Sequence, residues 1–171
     1  MKAMKFLLSG LLTVCIMAAC DKDDDEKLND TDRNFLMQAG YANSAEINAG
    51  NLASTKAVNP AVKAFGQMMV SEHGTSHAEL NAIGTERGVD VPDEPDPPHQ
   101  ALAQRLATLQ GVSFDTAFMN SQVMDHQMTV QLFENEIANG RHWRVKEYAN
   151  KYLPHIRMHL QKADSLARAI R

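Results

Sequence analysis

Glu46, His73, His126 and His159 each occupy a position where helical periodicity calls for an apolar side chain. The first stripe reads Phe35, Ala39, Ala42, Glu46, Ala49, Ala53, and the second Val62, Gly66, Met69, His73, Ser76, Leu80, Ile83. The third reads Met119, Val123, His126, Val130, Phe133, Ile137, and the fourth Val145, Ala149, Tyr152, Ile156, His159, Ala163, Leu166, Ile170. Steps of three and four put each set on one helix face. A carboxylate or imidazole on such a face is costly to bury unless something satisfies it. A divalent metal would do so. A closed hydrogen-bond cluster that only fixes helix register is the other answer.

Neighbouring residues enlarge the set. His73 and His77 are four apart, as are His155 and His159, so each pair shares a face and can present two imidazoles to one ion. Glu72 and Asp125 each precede a stripe histidine, placed to ligate or to orient an imidazole. Glu46, His73, His126 and His159 are therefore the expected primary metal ligands. Glu72, His77, Asp125 and His155 are alternates or orienting partners. Zinc, copper or iron is the ion such donors suit. The Tyr152 hydroxyl is expected to bond into the same polar layer. Met37, Met68, Met69, Met119, Met124, Met128 and Met158 follow the signal, several of them near these histidines in sequence, and thioether with imidazole would favour copper. Methionine at helical spacing is more often core filling. His99 falls outside every stripe.

Other chemistries fail on spacing. Glu72-His73-Gly74-Thr75-Ser76-His77 places its glutamate before the first histidine, so it is not a zinc-protease motif in either orientation. There is no Gly-rich phosphate loop, and Ser113 and Ser121 have no triad context. No catalytic residue is assigned, and a binding protein is expected rather than an enzyme.

Four long helices must position these residues. The first is expected from Thr31 or Asp32 to about Val58, with Asn59-Pro60 ending it. The second runs from Pro60 to Arg87, with Gly88 as its C-terminal cap. Residues 89–98 read as a proline-rich connection without helix. A short helix follows from about Gln100 to Leu109. The third long helix runs to Asn139 after a cap at Ser113, and the fourth spans His142 to Ile170. Pro154 should kink or split that last helix. Trp143 and Tyr148 are expected to close one end. The architecture is an all-α, up-down four-helix bundle, with the long connection crossing one end. Mid-helix positions then come to one height.

The ends set the compartment. Lys2, Lys5, the apolar run Phe6–Ile16 and the small residues Met17-Ala18-Ala19 form a secretory signal over residues 1–19. The small residues before Cys20 resemble a bacterial lipobox, which implies cleavage there and a lipid on Cys20. Residues 20–30 are an acidic tether resembling the surface-export signal of Bacteroidetes lipoproteins, and residues 31–171 hold the domain. Cys15 leaves with the signal, so no disulfide is available. Without Lys2 and Lys5, the 17 basic residues become 15 against 21 acidic ones, a net charge of −6. Nucleic acid is therefore not an expected partner. The expected partner is a membrane, reached through the lipid, and the expected location is the outer membrane.

The chain resembles the domain of unknown function 4142 family from Phe35 to Ala163. The carriers include Phe35-Leu36, Glu46-Ile47, Asn59-Pro60-Ala61-Val62, Met69-Val70-Ser71-Glu72-His73, Gly111 to Asp115, His126, Leu153-Pro154 and His159-Leu160. The resemblance implies a ferritin-like bundle in the bacterial envelope and supplies no reaction. Di-iron bundles use Glu on two helices and Glu-x-x-His on two others. Here Glu46 fits, but the other helices offer mainly histidine. Zinc, copper or a single iron suits the set better than a di-iron centre.

Overall fold

The computed structural model describes residues 27–170. The signal segment, Cys20 and most of the tether lie outside the described residues. Five helices follow in chain order: α1 Asp30–Lys56, α2 Pro60–Arg87, α3 Pro97–Thr108, α4 Gly111–Asn139 and α5 Trp143–Ala169. The four long ones form the expected bundle, and α3 is the short extra helix.

Local chemistry moves several boundaries. Asn29, not Thr31 or Asp32, caps α1: its side chain accepts the Asp32 N–H, and the Asp32 carboxylate accepts the Asn29 N–H. Asp32 also accepts N–H groups of Arg141 and His142, tying the start of α1 to the α4–α5 turn. Helix α3 begins earlier than expected, because Pro97 and Pro98 suit a first turn that needs no N–H donors and Asp96 caps it. Helix α4 starts at Gly111 rather than after Ser113. Helix α5 runs through Pro154 without a break. Buried Val145, Tyr148, Ala149 and Leu153 precede the proline, and Ile156, His159 and Ala163 follow it. Packing on both sides outweighs the one lost backbone bond. Trp143 is 53% exposed and does not close the bundle, whereas Tyr148 is buried.

The long connection does not cross one end. Val58 and Asn59, in the α1–α2 turn, donate their N–H groups to Asp115 near the start of α4. Helix α4 therefore begins where α2 begins, and the chain must return along the bundle's full length. It does so beside α1: Val91 and Pro92 lie against Gly40, and the Ala107 carbonyl accepts from Lys56 Nζ. Helices α2 and α4 thus run parallel, so the all-α four-helix bundle is as expected but its long helices do not alternate strictly up and down. The packed neighbours α1–α2, α1–α4, α4–α5 and α2–α5 are antiparallel.

Small residues set the α1–α2 approach. A Cβ on Gly66 would lie 2.6 Å from Ala53 Cβ and 2.9 Å from the Gly50 carbonyl oxygen. Both obstacles are fixed to helix backbone. Gly66→Ala should therefore destabilise the fold by about 1–3 kcal/mol through overpacking, despite alanine's better helix propensity. Urea unfolding checks this: a midpoint equal to or above that of the parent would contradict the close approach.

The core divides in two. One apolar cluster contains Phe35, Leu36, Leu80, Ile83, Phe133 and Val145. The other contains Ala53, Val62, Phe65, Met69, Phe114 and Phe118. Between them lies one polar layer of buried Asn43, Glu46, His73, Ser76, Gln122, His126 and His159.

Candidate metal centre

Three histidines from three helices meet in this layer. The ring centroids of His73 on α2 and His126 on α4 are 5.7 Å apart, and each lies 5.4 Å from that of His159 on α5. One ring nitrogen from each lies within 4.8 Å of the other two. All three residues are at most 5% exposed.

Each ring has one nitrogen engaged by an acceptor. His73 Nδ1 donates to Asn43 Oδ1 at 2.9 Å. The amide orientation is fixed in turn, because Asn43 Nδ2 donates to the Tyr148 hydroxyl, which pairs with Ser76 Oγ. His126 Nδ1 donates to the Gln122 carbonyl at 2.9 Å. His159 Nε2 donates to Glu72 Oε2 at 3.0 Å. The engaged nitrogen carries the proton in each case, so the opposite nitrogen carries a lone pair. Those opposite nitrogens, His73 Nε2, His126 Nε2 and His159 Nδ1, are buried and make no hydrogen bond. Each unsatisfied buried group costs about 1–3 kcal/mol. Orienting one imidazole nitrogen so that the other faces an ion is the usual arrangement around a metal-ligating histidine.

Electrostatics keep the rings neutral. Burial pushes His73 well below the ordinary histidine range, helped by the neighbouring His126 and His159. Burial lowers His126 to about 4. His159 is lowered by burial and by His126, against the pull of Glu72. Neutral imidazole is the form that binds a metal.

The other candidates stand outside this cluster. Glu46 is buried, but its Oε1 lies 3.4 Å from the engaged Nδ1 of His126, behind the ring. Burial and the nearby Asp125 raise its carboxyl to about 8. His77 turns the other way and pairs with Asp93 at 2.8 Å. His155 is on the surface, 3.4 Å from Glu72, so that glutamate lies between both members of the i,i+4 pair. Asp125 faces His99 at 3.8 Å rather than the three rings. His99 also pairs with Asp96, and hydrogen bonding to Asp125 is the first cause raising it to about 9. Tyr152 donates to Glu79, outside the layer. The tyrosine in the layer is Tyr148.

Sequence reasoning missed Asn43 and Gln122. Asn43 follows Ala39 by four and precedes Glu46 by three, a spacing that matches the stripe as well as Ala42 does. Gln122 acts through its backbone carbonyl, which no side-chain pattern reports.

The family model described as a domain of unknown function, DUF4142, matches residues 18–166, so the chain belongs to that family. No curated protein matches it. Among solved structures, a DUF305 fragment from Deinococcus radiodurans superposes with a TM-score of 0.73 at 12% identity, covering 83% of this chain and 99% of that one. CopM in the Cu(II)-bound form superposes with a TM-score of 0.70 at 18% identity, covering 82% and 97%. At these identities the likeness shows a shared helical-bundle fold.

Proposed function

We propose that this DUF4142 protein is a lipid-anchored envelope protein that binds one divalent transition metal through His73, His126 and His159. One observation carries the reading: three buried histidines, each with a ring nitrogen that makes no hydrogen bond, bring ring nitrogens within 4.8 Å of one another. Metal–nitrogen bonds of about 2.0–2.1 Å would draw ring nitrogens that lie within 4.8 Å of one another to a spacing of roughly 3.3–3.6 Å. The all-imidazole donor set suits copper and zinc better than a hard cation. CopM, a neighbour in fold, is described in a Cu(II)-bound form, which adds weight to copper.

The role that follows is metal handling or stress protection in the envelope. The signal segment and Cys20 support a lipid anchor in the outer membrane, with the acidic tether as spacer. No helix among the described residues is long and apolar enough to cross a membrane.

Titration of the purified protein with Cu(II) and Zn(II), followed by calorimetry and elemental analysis, tests the reading. One ion per chain is expected. A chain that takes up neither ion would leave the layer as a register-setting polar cluster in a structural or partner-binding module.

The pH dependence adds a sharper expectation. Three imidazoles with the ordinary pKa of about 6.5 would lose several hundredfold in affinity between pH 7.0 and 5.5. Here the rings are already neutral at pH 5.5, so affinity should fall less than about threefold over that span. A steep, three-proton decline would mean that the ion sits on exposed histidines instead.

A further inference from the structure

We propose that the metal held by His73, His126 and His159 keeps one coordination position open, and that a small exogenous ligand reaches it through a cavity beside the rings. This deepens the metal reading and rests on it.

The donor count comes first. Among the described residues, only these three histidines group closely enough to share an ion. The nearest carboxylates stand off the cluster: Glu46 Oε1 lies 3.4 Å from the engaged His126 Nδ1, and Glu72 accepts the His159 N–H. Structural zinc sites are closed by four protein ligands, whereas sites that work on a substrate keep a position for water or substrate. Three donors from three helices leave a position of the second kind.

The cavity gives that position a direction. A space of about 180 Å³ borders the rings of His73 and His159 but not that of His126. Its inner wall includes Ala39, Phe133 and Ile156, all buried. Its lining extends to exposed Thr75 and His155, so it connects the layer to solvent. Ala42, on α1, lines it as well.

Size and charge define the ligand. Drug-sized ligands occupy pockets of about 300–1,000 Å³. This cavity has room for about six waters at about 30 Å³ each, and so for a molecule of a few heavy atoms. Three neutral imidazoles leave the dication's charge unbalanced at the ring face. A small anion is the fitting class.

The test uses the protein loaded with one equivalent of Cu(II), with sodium azide as the probe. Azide should produce a new charge-transfer absorption and change the copper EPR spectrum. In Ala42→Phe, which fills the cavity, azide affinity should fall at least about tenfold, equivalent to roughly 1.4 kcal/mol, while Cu(II) affinity stays within about twofold. Should that variant misfold, Thr75→Trp at the exposed rim serves instead. A copper-loaded protein whose spectra ignore azide would overturn the open position. Unchanged azide affinity in a folded, copper-loaded variant would overturn the route. Failure to load Cu(II) would overturn this proposal, and failure to load Zn(II) as well would overturn the metal reading beneath it.

Discussion

Replacing His73, His126 or His159 singly by alanine should abolish the thermal stabilisation that Cu(II) or Zn(II) gives the parent protein. An ion that binds only the folded state at 100 times its Kd adds about 2.7 kcal/mol. For a chain of this size, each kcal/mol moves the midpoint by roughly 2–4 °C, so the parent should gain about 5–10 °C. Each histidine supplies one of only three donors, and its loss should weaken binding more than the 10- to 100-fold typical of losing an orienting partner. Asn43→Ala, which frees His73 Nδ1, should fall in that intermediate range. His77→Ala and His99→Ala should keep the full gain, since their rings pair with Asp93, Asp96 and Asp125. Glu46→Gln should keep it too, because the carboxyl lies behind His126. Each variant is compared with its own metal-free form, which separates lost binding from lost packing. A full shift in His126→Ala would dismiss the three-histidine site. Its loss in Glu46→Gln would restore the glutamate as a ligand.

That panel separates what the sequence specified from what needed three dimensions. The polar layer was legible because helical spacing fixes which residues share a face, and midpoints of equal-length helices meet at one height. His73, His126 and His159 meet on that logic alone. Glu46 obeys the same periodicity, but a stripe is wide enough that one residue's rotation decides between facing the rings and standing behind one. His77 and His155 show the same limit. An i,i+4 pair shares a helix face, yet the face spans both core and rim, so the other member of each pair, His77 or His155, reaches Asp93 or solvent. His99 escaped because its position depends on the long connection. That connection runs lengthwise only because Asp115 anchors the start of α4 to the α1–α2 turn. No local pattern encodes a contact between residues so far apart in sequence.

The same layer should make the metal-free protein sensitive to acid. His73, His126 and His159 all have folded-state pKa values below the unfolded value of 6.5, with burial as the first cause. Between about pH 4 and 6.5 the unfolded chain therefore binds more protons than the folded one, so stability falls as pH falls through that window. His126, lowered to about 4, alone corresponds to roughly 3 kcal/mol at about 1.4 kcal/mol per unit. The three together represent several kcal/mol, a large share of a typical total of about 5–15 kcal/mol. On the alkaline side the sign reverses. Glu46 and Glu136 are raised to about 8, chiefly by burial, and His99 to about 9. These groups favour the fold while protonated, and their contribution is lost as pH rises through those values. Stability of the chelator-treated protein should therefore peak at about pH 6–6.5. Urea unfolding at pH 4.5, 6.2 and 8.5 measures it. In the triple variant His73→Leu, His126→Leu, His159→Leu, the acid limb should flatten while the alkaline limb persists. If the acid limb survives unchanged in that variant, the imidazoles are not the groups that charge on unfolding. Saturating Zn(II) should raise stability across this window without flattening the limb, because the folded rings are already neutral and proton uptake by the unfolded chain sets the slope.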